Sequence, residues 1–130
     1  MFPSYYESDK PAIEFNPDKS PLDAVSSFYN YLKIRKLDKA YALLADELKA
    51  GQTYEQWQEG YKTELDTTIL DIKVQNKKKN IIWVSLRSKD LVGDEVAYRF
   101  FQGTWQVSNS SGHWRLWQSN IIEVPPPENY

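Results

Sequence analysis

Few residues in this chain have the chemistry of a catalyst. The sequence holds one histidine and no cysteine, which excludes thiol nucleophiles, disulfides, thiolate metal sites and polyhistidine zinc sites. His113 stands between Gly112 and Trp114 beside a turn. An exposed or capping role is the ordinary one there, and no acid lies near it in sequence to form a His–acid pair. Arg99 sits between Tyr98 and Phe100, and Arg115 between Trp114 and Leu116. On neighbouring strands these two guanidiniums would clamp a carboxylate between aromatic faces. On an outer sheet face they would instead stack on Trp105 and Trp117 and pair with surface acids. Lys77-Lys78-Lys79 reads either as a contact for an anionic surface or, more simply, as a solubilising turn. Asn109-Ser110-Ser111 has the form of a glycosylation acceptor, a match short enough to arise by chance.

Aromatic residues are the conspicuous resource. They make up 15% of the chain, more than one small core requires, so some are available to a ligand or partner. Tyr29, Trp57, Tyr61, Trp83, Tyr98, Trp105 and Trp117 are the candidates to line a pocket, with core packing as the alternative use of the same residues. Tyrosine hydroxyls would be the main polar groups orienting a ligand there.

Charge narrows the partners. The chain carries 16 basic and 18 acidic side chains, divided 8 to 11 over residues 1–65 and 8 to 7 over residues 66–130. A nucleic-acid surface needs clustered cations, and this balance argues against one. No stretch approaches the ~20 apolar residues of a membrane span, and Met1-Phe2-Pro3-Ser4-Tyr5 lacks the basic start and apolar run of a signal peptide. The expectation is that any export signal is absent or has been removed.

Proline placement divides the chain. Four prolines fall in residues 1–21 and three in residues 125–127, with none between. The expected domain is residues 20–124, preceded by an extended linker or arm over 1–19 and followed by a proline-rich tail over 125–130. Two readings of the arm stay open: a solvated tether, or a strand-like arm docking through Ile13 and Phe15.

Ser20-Pro21-Leu22-Asp23 is a helix start, and Leu22, Val25, Phe28, Tyr29 and Leu32 continue at steps of three and four. The spacing predicts helices over 21–34, 38–50 and 54–64, the last opened by a capping box at Thr53–Gln56. After Asp66 the period falls to two, predicting antiparallel strands over 67–76, 80–89, 95–107 and 113–124, the third bent or bulged at Gly103. The fold class is α+β, with three N-terminal helices packed on one face of a curved sheet of about four strands. Val84, Leu86, Tyr98 and Phe100 on one parity, and Trp83, Ala97 and Phe101 on the other, leave large apolar groups on both faces. The face away from the helices then needs a partner, for which a homodimer through the sheet is the leading explanation.

The order of helix, helix, short helix and long strands, closing on Gly103-Thr104-Trp105-Gln106-Val107 and Gly112-His113-Trp114-Arg115-Leu116-Trp117, resembles the nuclear-transport-factor-like fold, also called the ketosteroid-isomerase-like or cone fold. The likeness covers about residues 20–124 and points to extracytoplasmic bacterial members, exported or membrane-anchored. It implies a pocket between helices and sheet, which in the isomerase type holds an acidic general base. Of the sheet acids Asp71, Asp90, Asp94, Glu95 and Glu123, only Asp71 falls mid-strand, and alternation places it in solvent. The expectation is therefore a non-enzymatic binding or interaction domain without catalytic residues, metal or cofactor. It would bind a small apolar molecule or a protein through its aromatics. The alternative is a small isomerase, dehydratase or cyclase working on an apolar substrate in the cone. The cone is expected to be filled by its own rings, lined by Tyr29, Trp57, Tyr61 and Trp83, with no carboxylate at its base.

Overall fold

The computed structural model describes residues 16–128; Ile13 and Phe15 lie outside them. Ser20 caps α1 (Pro21–Lys33) by accepting the Asp23 amide at 3.1 Å, with Pro21 in the first turn. The helix buries Ala24, Val25, Phe28, Tyr29 and Leu32 and packs across all four strands.

One expected helix over 38–50 is instead two: α2 (Leu37–Ala42) and α3 (Asp46–Lys49). The break has a backbone cause. Leu43 offers its carbonyl to the Leu116 amide at 2.9 Å, and the Ala45 amide donates to the Leu116 carbonyl at 2.8 Å. Leu44 thereby forms a parallel bridge with Leu116, and a residue paired to a sheet edge cannot continue the i→i−4 ladder. The described residues thus contain four helices, the fourth being α4 (Tyr54–Glu59). Its capping box joins Thr53 and Gln56, and it ends at Gly60, short of the expected 64.

The strands β1 (Glu64–Asn76), β2 (Ile81–Val92), β3 (Glu95–Ser110) and β4 (His113–Val124) form one antiparallel sheet in the order β1-β2-β3-β4. Each exceeds or matches its expected span. β3 passes through Gly103 without a bulge; the register shift lies at Gln106/Val107.

Register fixes the faces. Ile82 opposes Trp105, Val84 opposes Gly103 and Leu86 opposes Phe101, and these point at the helices, where Ile82, Val84, Leu86, Trp105, Val107 and Leu116 join the core of α1 and α2. The other parity puts Trp83, Arg87, Tyr98, Phe100 and Ile122 on the outer face. Tyr98 and Phe100 therefore do not share a face with Val84 and Leu86, because the β2–β3 turn sets an even residue opposite an odd one.

Candidate functional site

The expected aromatic pocket separates into two places. Beneath α1, Tyr29 accepts a hydrogen bond from the Trp105 indole N–H at 2.8 Å, and Phe28 packs edge-on to both rings at centroid distances of 5.1 and 5.7 Å. All three are buried. Burial raises the Tyr29 hydroxyl well above the usual tyrosine range, the bond from Trp105 opposes that rise, and the negative charge of Glu64 adds to it. These three rings are packed core between α1 and the sheet.

Trp57 and Tyr61 belong to a second cluster. Their rings lie 4.8 Å apart, and Tyr41 sits 5.3 Å from both Tyr54 and Trp57. These rings are half-buried against the core, covering α2 and α4. The Tyr61 hydroxyl is pushed up to about 12, chiefly by burial and then by Glu64.

Trp83 does not face the helices. Ile82 and Val84 on either side of it point inward, so strand alternation turns Trp83 to the outer face, under the Lys73 ammonium at 4.7 Å from its ring. Tyr98 is also outer, beneath Arg87 at 5.4 Å. Trp117, half-buried, lies at the register shift between β3 and β4.

The two arginines are not a clamp. Arg115 stands opposite Ser108, nine positions along β3 from Arg99, or about 30 Å at 3.3 Å per residue. Arg99 is held by Glu123 at 2.7 Å in an exposed pair, and Arg115 donates to the Trp114 carbonyl at 3.0 Å. His113 does acquire an acid on folding: its Nδ1 lies 3.1 Å from an Asp18 carboxylate oxygen. Both side chains are about half exposed, at 52% and 42%, which suits a surface tie better than a buried dyad. Asp71 is exposed, as alternation requires.

Sequence reasoning missed one group. Where β1 begins, Glu64 stands opposite Asp90 of β2, and buried Thr67 opposite buried Ser88. The Thr67 hydroxyl donates to Glu64 Oε1, and Ser88 donates to Asp90 Oδ2 at 2.9 Å. Arg35 reaches over this end, donating to the carbonyls of Tyr61 at 3.0 Å and Glu64 at 3.2 Å. Burial raises the Glu64 carboxyl; the Thr67 hydrogen bond opposes this, Asp90 adds to it, and Arg35 opposes it. Glu64 is thus a partly buried carboxylate on the helix-facing side of the sheet. The signal was present in the alternation Ile82, Val84, Leu86, Ser88, Asp90, which carries two polar residues onto the inward face.

A folded-state value above the unfolded one means that folding favours protonated Glu64. Its contribution is complete below the ordinary carboxylate value of 4.5 and is lost as pH rises through the raised value. Asp66 runs the other way. Burial pushes its carboxyl up, but the hydrogen bonds from Lys33 and Thr68 and the charges of Lys33 and Arg87 together hold it below 3.8, so its contribution is lost only as pH falls beneath that value. Glu64→Gln keeps the acceptor for Thr67 and removes the titration. Its thermal midpoint should therefore fall less than that of the wild type as pH is raised from 4.5 to 7, and parallel profiles would show Glu64 to be an ordinary solvated acid.

Four clefts stand out among the described residues. A polar one of about 580 Å³ lies along α3 and Ser108–Ser110 beside Arg115. A second, of about 370 Å³, lies on the outer face around Gln106 and Gln118. An apolar one of about 480 Å³ lies at the start of α1, and a small one of about 320 Å³ lies between Arg35 and Glu59. Neither Glu64 nor Asp90 lines any of the four. Among the described residues no group of three or more His, Asp or Glu is placed to hold a metal ion, and no helix is long and apolar enough to cross a membrane. No family model, curated protein or solved structure matches the chain.

Proposed function

We propose that the chain is a non-enzymatic interaction domain of the cone-fold, nuclear-transport-factor-like kind, which works through the outer face of its sheet. The observation that carries this reading is the division of apolar surface. The middle of the inward face packs on the Tyr29–Trp105 core, while Leu91, Val96 and Ile122 remain 42%, 47% and 63% exposed on one end of the outer face. An exposed patch of this kind is a partner surface. The occupant is a second copy of the chain. Four strands about 4.8 Å apart and 12 or more residues long offer a face of about 600–800 Å², close to the ~800 Å² per partner of a stable interface. The tyrosine-rich start and proline-rich end of the sequence support a module tethered in an exported or membrane-anchored bacterial protein.

Sedimentation equilibrium checks the partner. The wild type should run as a dimer of 15.2 kDa chains, and Ile122→Lys, which places a charge in the patch without touching the core, should run as a monomer of unchanged stability. A wild type that is monomeric at every concentration would remove this reading.

Glu64 supports a second reading, in which a raised carboxyl beside Tyr61 is the general base of an isomerase-like site. Turnover of a small enolisable ketone that disappears in Glu64→Gln would favour it. Glu64 already takes the Thr67 hydroxyl and lines none of the four clefts described above, which ranks this reading below the interaction domain.

A further inference from the structure

The cleft at the start of α1 follows from unequal lengths. α1 has 13 residues and β1 has 13, but a helix rises 1.5 Å per residue and a strand about 3.3 Å, so some 20 Å of helix lies over some 43 Å of strand. At the β1–β2 turn the inward face outruns its cover. Pro21 and Leu22 of α1, Val74, Ile82 and Trp114 then enclose an apolar cleft of about 480 Å³, within the ~300–1,000 Å³ range of small-molecule sites. Val74, an inward-facing residue, is left 48% exposed by the gap.

A cation stands at its rim. Lys77 lines the cleft and has no ion pair among the described residues, and Lys78 and Lys79 follow it in the turn. Among the described residues, the acids near this end are engaged elsewhere: Asp18 with His113 at 3.1 Å, and Asp23 with the Ser20 hydroxyl at 2.6 Å. We infer that this cleft binds an amphipathic monoanion, an aliphatic or aromatic carboxylate whose apolar body lies on Trp114, Leu22 and Val74 and whose charge meets Lys77. The site is separate from the core aromatics and from the outer sheet face.

Decanoate is the probe, titrated into the full-length, isotope-labelled chain and followed by amide and indole NMR shifts. Saturable shifts should centre on the Trp114 indole and the backbone of Leu22 and Val74, and decanol should bind more weakly. Lys77→Gln, a change of an exposed side chain in a turn, should weaken decanoate about twofold to fivefold, the worth of one exposed charge contact, and leave decanol unchanged. Trp114→Ala should abolish saturation. Shifts centred on Tyr98 and Ile122, no saturable shift at Trp114, or equal decanoate binding by the wild type and Lys77→Gln would each overturn the assignment.

Discussion

Trp105→Ala is expected to lower the free energy of unfolding by about 3–5 kcal/mol, the usual cost of emptying a large buried aromatic site. Three losses combine at this position. The indole leaves a void between α1 and the sheet, Phe28 loses its edge-on partner at 5.7 Å, and the buried Tyr29 hydroxyl loses the donor it accepts from. Trp105→Phe separates them, since it keeps most of the ring and removes only the donor, and should cost about 1–3 kcal/mol. Urea unfolding of the two variants measures both. If the cone held an open pocket at this point, the alanine variant would lose little stability, so a cost under about 1 kcal/mol would show that Tyr29 and Trp105 are not core.

Gly103→Ala should be nearly as damaging, although it adds a single methyl group. A Cβ at this position would press into the Asn120 carbonyl oxygen and come within 2.6 Å of Ile121 Cα. Both are backbone atoms of β4, held in the ladder by the pairing of Gly103 with Ile121. Relief requires β4 to move away from β3, which costs hydrogen bonds as well as packing. The expected loss is about 3 kcal/mol, at the upper end of overpacking penalties. Gly51→Ala is the comparison: nothing lies within 4 Å of its added Cβ, so its cost comes from the positive φ of 76° alone and should be near 1 kcal/mol. Equal losses from the two variants would show that the close approach at Gly103 does not matter.

These two positions show what the sequence made legible and what it hid. Period-two alternation located all four strands, and the Ser20 and Thr53 caps located two helix starts, because those signals depend on neighbours close in sequence. The break at Leu43–Ala45 depends on Leu116, more than 70 residues away, and no local pattern reports it. Gly103 suggests a bent or bulged strand because glycine in a strand marks either a bulge or a close backbone approach, and only the partner strand distinguishes them. Trp83 has a ring suited to lining a pocket but the wrong parity, since the inward run of Ile82, Val84 and Leu86 turns it to the outer face. Register explains the rest. The separation of Arg99 from Arg115, and the pairing of Glu64 with Asp90, are set by which residues the hairpin turns bring opposite one another.

The central claim is that the inward face is core and the outer face meets a second copy. The chain has no cysteine, so one introduced thiol carries one spin label. Gln102 is exposed and lies on the outer face opposite Ile122, whereas Lys39 is exposed on α2, on the helical side. Face-to-face sheets stand about 10 Å apart. Dipolar coupling between labels at Gln102→Cys should therefore report a short intermolecular distance, on the order of 10–30 Å once label length is included. Labels at Lys39→Cys, separated by both sheets and helices, should be markedly farther apart. A Gln102 label with no intermolecular coupling, or a Lys39 pair closer than the Gln102 pair, would contradict the account.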